Sequence, residues 1–173
     1  EISLGLVGSE MCIRDRRSKN TIQIVGENLY VHAGLSKAFM EREETIPEIN
    51  ELVAKSIYLT KEERKKQFPD IADFLYSDSY NGPLWYRGMV KTGSEYSPIK
   101  DADVQTLLDE YNVERIIVGH TENSRVKYTY SGKVYDICVN HPKAFEKETR
   151  AVLIKDGEIK AVNDKGELVT IKK

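Results

Sequence analysis

Cysteine, tryptophan and histidine are scarce in this sequence. Its 173 residues include two cysteines, one tryptophan and three histidines. Two cysteines cannot form the disulfide framework of a small secreted domain or the four-ligand spacing of a zinc finger. Because histidines are so few, any metal-binding or catalytic role for this residue type falls on His32, His120 or His141.

An excess of one charge sign and a long apolar run are also missing. The net charge of −2 gives neither the basic footprint of a nucleic-acid-binding protein nor a polybasic membrane signal. No segment offers the roughly 20 consecutive apolar residues of a membrane span. We therefore predict no nucleic-acid partner and no membrane segment, while a hydrophobic content of 40% supports a packed core.

The first residues do not resemble the domain that follows them. Residues 11–16 read MCIRDR, and one back-translation resembles the mosaic end of transposase-based sequencing libraries. Residues 6–10, LVGSE, fit the adapter that lies upstream of it. A secretory signal fits less well, because the start is acidic and the short apolar stretch is broken by serine and glycine and followed at once by charges. We expect residues 1–16 to be non-native and residues 17–173 to form one domain or a large part of one.

Two histidines follow apolar strand patterns. Residues 21–25 and 29–31 predict a hairpin around Gly26-Glu27-Asn28, and its second strand runs into His32. Residues 115–118 predict a buried strand that leads to Gly119 and His120. If these strands were neighbours, both imidazoles would meet at one sheet edge and favour a transition-metal site. Alternatively, each histidine only caps its strand by hydrogen bonding.

The remaining pattern is that of an α/β protein. Residues 36–76 predict helices that begin near Ser36, Thr45, Thr60 and Pro69, and residues 101–111 predict an amphipathic helix. Residues beyond 126 predict a β meander, with a two-residue hairpin turn at Ser131-Gly132.

Residues 77–99 form a polar, glycine-rich loop around one apolar and charged cluster, Leu84-Trp85-Tyr86-Arg87. The guanidinium of Arg87 suits binding of a phosphate or carboxylate. The alternative is a surface arginine stacked on Trp85. We expect Trp85 to anchor the loop by packing, His141 to lie in a surface turn, and Asp78 and Glu122 to be solvated or to assist the site.

Three segments together carry a family resemblance. They are LYVHAGLS at 29–36, GPLWYRG at 82–88 and VGHT at 118–121. In this order and at these separations they resemble the second half of a calcineurin-like metallophosphoesterase, particularly the bacterial Shewanella-like phosphoprotein phosphatases. The resemblance implies a partial β-sandwich flanked by helices, with the first half missing, so that residues 17–173 would be the C-terminal part of the domain.

The resemblance also implies roles for three residues. His32 and His120 would be metal ligands, and Arg87 would bind the substrate phosphate. Such sites hold two divalent ions (manganese, iron, zinc or magnesium) that activate water and stabilise the displacement. The partner would be a phosphorylated protein or a small phosphoester.

The motifs of the family's first half are absent from this chain. They are Gly-Asp-x-His, Gly-Asp-x-x-Asp-Arg-Gly and Gly-Asn-His-Glu, which supply the first-metal ligands and the acid histidine. We therefore expect a metal-dependent phosphatase acting on phosphoserine, phosphothreonine or phosphotyrosine in the intact parent, and little or no activity in this chain. Alternatives are a hydrolase of dinucleoside polyphosphates or small phosphomonoesters, and a non-catalytic binding domain with a cooperative, metal-independent thermal transition.

Overall fold

The computed structural model describes residues 15, 18–76, 80–140 and 149–171. Two sheets and five α-helices make up this part of the chain. The strands are β1 (Ile22–Val25), β2 (Asn28–Val31), β3 (Arg115–Val118), β4 (Lys127–Thr129), β5 (Val134–Asp136), β6 (Thr149–Lys155), β7 (Glu158–Asn163) and β8 (Leu168–Val169). The helices are α1 (Lys37–Met40), α2 (Ile46–Ser56), α3 (Lys61–Gln67), α4 (Pro69–Tyr76) and α5 (Asp101–Tyr111).

Sequence-distant strands are neighbours in the larger sheet, whose order is β1-β2-β3-β5-β4. β1 and β2 form the predicted antiparallel hairpin, closed by Gly26 and Glu27, with Val25 opposite Asn28. β3 runs parallel to both β2 and β5. The parallel register places Val31 opposite Val118. The carboxyl ends of β2 and β3 therefore meet at one edge of the sheet, which is the condition that the sequence analysis set for a shared histidine site.

Alternating side chains along these strands separate two cores. Leu29, Ile116 and Val134 point towards the helices and belong to the main core, where each is fully buried. Ile117 and Tyr135, one position further along, belong to a second core shared with the three-stranded sheet β6-β7-β8. Successive side chains of a strand point to opposite faces of the sheet, so apolar residues at consecutive positions indicate that both faces are covered. The molecule is thus an α/β fold in which helices cover one face of a mixed sheet and a second sheet covers the other.

The helices begin at the predicted capping residues. Ser36 Oγ accepts a hydrogen bond from the amide of Phe39, and Thr60 forms a capping box with Glu63. Thr45 and Glu48 form a second capping box at the start of α2. These contacts satisfy amide groups that the first helical turn leaves unpaired.

Two details of the β-rich half differ from the sequence prediction. Thr129 pairs with Val134, so a four-residue loop containing a 3-10 turn joins β4 to β5 instead of a two-residue hairpin. The predicted meander is also divided, since β4 and β5 complete the first sheet while β6 to β8 form the second. Alternating apolar residues specify a strand, but they do not specify the sheet that it joins. Within the described residues, no helix is both long and apolar enough to span a membrane.

Candidate functional site

The edge where β2 and β3 end carries His32 and His120. His32 follows Val31 directly, and His120 follows Val118 after one glycine. Gly119 donates its amide to the carbonyl of His32 at 3.0 Å, which joins the two loops. A Cβ on Gly119 would lie 3.2 Å from that same carbonyl oxygen, so a glycine allows the close approach. Topology therefore brings two residues from distant parts of the sequence to one place.

His120 has a strained backbone. Its φ is +60°, in the left-handed region that residues other than glycine rarely adopt. The next residue holds the turn, since the Thr121 amide donates to the Gly119 carbonyl at 2.6 Å. Thr121 is itself buried, and its Oγ1 is a buried polar atom without a hydrogen-bond partner among the described residues. Strain of this kind costs about 1–2 kcal/mol, and it is common at functional sites.

The two imidazoles and Arg87 form one cluster. His32 Nε2 lies 3.2 Å from His120 Nδ1, and Arg87 Nη2 lies 3.3 Å from His120 Nε2. A neutral His120 with its proton on Nδ1 satisfies both contacts, because it donates to His32 and accepts from Arg87. Arg87 therefore contacts the histidine pair, which differs from the alternative of a surface arginine that only stacks on Trp85.

The environment favours the neutral form of both histidines. Burial lowers the pKa of His32 below its usual value. Burial also lowers the pKa of His120, and the neighbouring His32 and Arg87 lower it further. A neutral imidazole has a lone pair available, which is the form that binds metals. The electrostatics therefore favour a ligand role over a charged, salt-bridged one.

The arginine-bearing loop is attached to the His32 loop by three contacts. Ala33 donates its amide to the Pro83 carbonyl at 2.9 Å, and Ser36 Oγ donates to the Asn81 carbonyl at 2.6 Å. Gly34 packs so closely that an added Cβ would lie 3.0 Å from the Tyr86 carbonyl oxygen. These contacts fix the position of the residues that follow, including Arg87.

Two tyrosines hold the far side of this loop. Tyr86 is 1% exposed, and its hydroxyl donates to the Ser97 carbonyl at 2.7 Å. Tyr130 donates to the Ile99 carbonyl at 2.8 Å. Gly88 has no room for a side chain, because a Cβ there would lie 2.2 Å from the Tyr86 hydroxyl. Tyr86 and Gly88 therefore set the backbone on either side of Arg87.

The histidine pair fits a shared divalent cation. Metal–nitrogen bonds of about 2.0–2.1 Å place two nitrogens on one ion about 3.0–3.4 Å apart. The 3.2 Å separation of His32 Nε2 and His120 Nδ1 lies in that range. No group of three or more histidine, cysteine, aspartate or glutamate residues assembles within the described part of the chain. The described residues thus offer two histidine nitrogens to an ion at this position.

Trp85 has a different position from the one that the sequence led us to expect. Its side chain is not a packing anchor, since 40% of it is exposed. Its ring lies edge-on to His120 at a centroid distance of 5.3 Å, and edge-on to Tyr80 at 6.2 Å. Sequence analysis did not identify Tyr80, Glu95 or Tyr96, which line a cavity with Trp85 and Arg87. Exposed aromatic residues in a loop carry no periodic signal that would have identified them.

A buried carboxylate supports the His120 loop. Asp136 is 1% exposed, and it accepts hydrogen bonds from the Asn123 side chain and from the Cys138 amide. Asn123 also donates to the Thr121 carbonyl at 2.8 Å, next to His120. Burial raises the pKa of Asp136 to about 6 in spite of these donors. Asp136 and Asn123 thus connect the end of β5 to the histidine loop.

The other sequence candidates do not join the cluster. Glu122 is exposed, and it does not combine with the histidines into a larger group of potential ligands in the described part of the chain. Asp78 and His141 lie outside the described residues.

Comparisons with known proteins give one relative by sequence and several by structure. No protein-family model matches the chain. An uncharacterized protein of Schizosaccharomyces pombe is 30% identical over 92 residues, which are 53% of this chain and 25% of that protein.

The structural relatives are phosphatases by name. The cold-active protein-tyrosine phosphatase of a psychrophilic Shewanella species superposes with a TM-score of 0.75 at 30% identity. The match covers 90% of this chain and 44% of that one. A second structure of a cold-active protein tyrosine phosphatase gives the same TM-score at 29% identity, over 89% of this chain and 42% of that one. The chain therefore has the fold of this α/β phosphatase over most of its length, and it spans less than half the length of that protein.

Proposed function

We propose that this chain is the C-terminal part of a calcineurin-like metallophosphoesterase, and that the parent protein is a metal-dependent phosphoprotein phosphatase. The observation that carries the proposal is the cluster of His32, His120 and Arg87 at the ends of β2 and β3. The named activity of the Shewanella relative, at 30% identity, supports the same class of reaction.

Each residue of the cluster has a separate task. His32 Nε2 and His120 Nδ1 would hold a divalent ion, since the neutral form of both rings is favoured and these nitrogens face one another. Metal binding through Nδ1 requires the proton of His120 on Nε2, so the ring would change tautomer and Arg87 would turn from His120 to the phosphate. Arg87 would bind phosphoryl oxygens through its guanidinium and neutralise the negative charge that grows on them. A bound divalent ion supplies Lewis-acid stabilisation of the same oxygens.

The proposal assigns the remaining ligands to the part of the parent that this chain does not contain. The chain covers 44% of the Shewanella phosphatase, and the described residues offer two ligands from histidine. A two-metal centre needs more than two. We therefore expect the 173-residue chain to bind a divalent ion weakly and to hydrolyse phosphoesters poorly.

The test measures metal binding by the 173-residue chain. Mn²⁺ and Zn²⁺ are titrated against a metal-sensitive dye for the wild type, His32→Ala and His120→Ala. Each histidine variant should lose more than about tenfold in affinity. Glu122→Gln, which changes an exposed carboxylate beside the site, is the matched control and should bind as the wild type does.

A second measurement addresses catalysis by the parent. The gene is sequenced upstream of codon 17, and the longer product is assayed with a chromogenic phosphoester before and after chelation. We expect hydrolysis that needs a divalent ion and is lost in Arg87→Ala. Chelator-resistant hydrolysis, or full activity without either histidine, would show that the proposal is wrong.

A further inference from the structure

A cavity opens beside the arginine of the histidine cluster. Its volume is about 350 Å³, and it is lined by Tyr80, Trp85, Arg87, Glu95 and Tyr96. Three of these five side chains are aromatic, and the other two carry opposite charges. The volume lies near the lower end of the roughly 300–1,000 Å³ that ligand pockets occupy, which gives room for one amino-acid side chain.

The charge of Glu95 does not suit a site for phosphate alone. Glu95 and Arg87 line the same cavity, but neither forms an ion pair with another residue in the described part of the chain. A phosphorylated side chain held by Arg87 would bring about two negative charges to the cavity, and the carboxylate would repel them. A substrate with a positive group beside its phosphate would replace this repulsion by an attraction.

The aromatic walls of the cavity suit the same positive group. Tyr80 is 51% exposed and Trp85 is 40% exposed, and their rings meet at 69°. A lysine ammonium or an arginine guanidinium binds over the face of an aromatic ring, within about 6 Å of its centroid. Among the described residues, Arg64 lies 4.0 Å from the ring centroid of Tyr76 in this way, but no cationic group lies over the three rings of the cavity. These rings are therefore available to a cation from the substrate.

The cavity and the histidine cluster are joined through two residues. Arg87 lines the cavity, and its Nη2 lies 3.3 Å from His120 Nε2. Trp85 also lines the cavity, and its ring centroid lies 5.3 Å from that of His120. Consecutive Cα atoms of a peptide are about 3.8 Å apart, so a residue next to the phosphorylated one can reach the cavity while Arg87 holds the phosphate.

We propose that this cavity is a subsite for a basic side chain of the substrate. The site would then prefer a phosphoprotein segment in which lysine or arginine stands next to the phosphorylated residue. Glu95 pairs with the positive charge, and the aromatic rings cover the aliphatic part of the basic side chain. The inference rests on the proposed function, and it specifies which phosphoprotein segments the site accepts. A neighbouring acidic residue is disfavoured by the same carboxylate.

The test follows the fluorescence of Trp85, which is the one tryptophan of the chain. The full chain is titrated, with Mn²⁺ present, with three peptides in which phosphoserine is flanked by lysine, by alanine or by glutamate. The lysine peptide should bind about fivefold more tightly than the alanine peptide, because it adds one exposed ion pair and one cation–π contact. The glutamate peptide should bind more weakly than the alanine peptide.

Matched variants separate Glu95 and the rings from the overall charge of the protein. Glu95→Gln should remove most of the preference for lysine and should raise the affinity for inorganic phosphate, because one negative charge leaves the cavity. A variant that merely loosened the fold would lower both affinities. Tyr80→Leu should weaken the preference, whereas Tyr80→Phe should keep it. Glu122→Gln removes an exposed negative charge outside the cavity lining, and it should keep the preference.

The outcomes distinguish this inference from the function on which it rests. Equal affinities for the lysine and alanine peptides, or a preference that survives Glu95→Gln, would overturn the basic subsite and leave the proposed function intact. Failure of the three peptides and of inorganic phosphate alike to bind would overturn the subsite together with the phosphate-binding role proposed for Arg87.

Discussion

His32 Nε2 and His120 Nδ1 lie 3.2 Å apart, although 88 positions separate the two residues in the sequence. The parallel pairing of β2 with β3 produces this contact, because it aligns Val31 with Val118 just before the two loops begin. Arg87, from a third segment, contacts the same pair through His120. The cluster therefore depends on strand pairing and on the backbone of the loop that carries the arginine.

Removal of Arg87 should raise the pKa of His120. Burial, His32 and Arg87 all hold that pKa below its usual value, and Arg87→Ala removes the third of these causes. His120 should then take up a proton at higher pH than in the wild type, as measured by NMR titration of the ring protons in the presence of a chelator. Lys91→Ala is the control, since Lys91 is not among the causes of the shift. A fall in the pKa of His120 would contradict the geometry.

Asp136→Asn should make stability less dependent on pH. Burial raises the pKa of Asp136 from 3.8 to about 6, so the native state binds its proton more tightly than the unfolded state does. The stabilisation is complete below pH 3.8 and is lost as the pH rises to about 6. The loss is on the order of 3 kcal/mol. Urea unfolding at several pH values measures this effect. The free energy of unfolding of the variant should rise relative to that of the wild type between pH 3.8 and about 6.

The matched control for that experiment is Asp156→Asn in the exposed turn between β6 and β7. Because this side chain is exposed, the substitution should change the difference in the free energy of unfolding between acidic and neutral pH less than Asp136→Asn does. If the free energy of unfolding of Asp136→Asn depended on pH as that of the wild type does, the assignment of a raised pKa to Asp136 would be wrong.

Gly88→Ala should destabilise the protein and displace Arg87. The new Cβ would lie 2.2 Å from the Tyr86 hydroxyl and 2.6 Å from the backbone oxygen of Tyr96, and a backbone atom cannot simply move aside. We expect a loss of about 2 kcal/mol in the free energy of unfolding, measured in denaturant. Gly93→Ala is the control, because its Cβ would meet the Glu95 carboxylate, which is exposed and free to rotate away. Equal losses in the two variants would argue against this packing.

Asn50→Ala should weaken the attachment of β1 to α2. The Asn50 side chain accepts from the amides of Thr21 and Ile22 and donates to the Ile22 carbonyl. Ile22 is fully buried, so its backbone groups would be left without these partners. We expect thermal unfolding to report a loss of about 2–3 kcal/mol. Glu51→Ala breaks only the exposed pair with Lys55 and should cost less than about 0.5 kcal/mol; a similar cost for both would refute the assignment.

Helices and caps were predictable because their signals are local. Thr60 and Glu63 stand three positions apart, and the capping box that they form needs no distant partner. The bounds of α5 were predicted correctly as 101–111 for the same reason, since one apolar stripe specifies both its period and its extent. The loop between β4 and β5 was predicted incorrectly. Ser131-Gly132 matches a two-residue turn, but the pairing of Thr129 with Val134 leaves a loop of four residues between the strands.

The sequence by itself determined the alternation of helix and strand patterns and the two strand-end histidines, because these depend on residues within a few positions of one another. Only the tertiary structure decided that the histidine nitrogens face each other, that Trp85 is exposed beside them, and that Tyr80 and Tyr96 complete a cavity with Arg87. The physical reason is strand order. Parallel pairing between β2 and β3 joins residues across 88 positions, and no local pattern of side chains encodes which strand lies next to which.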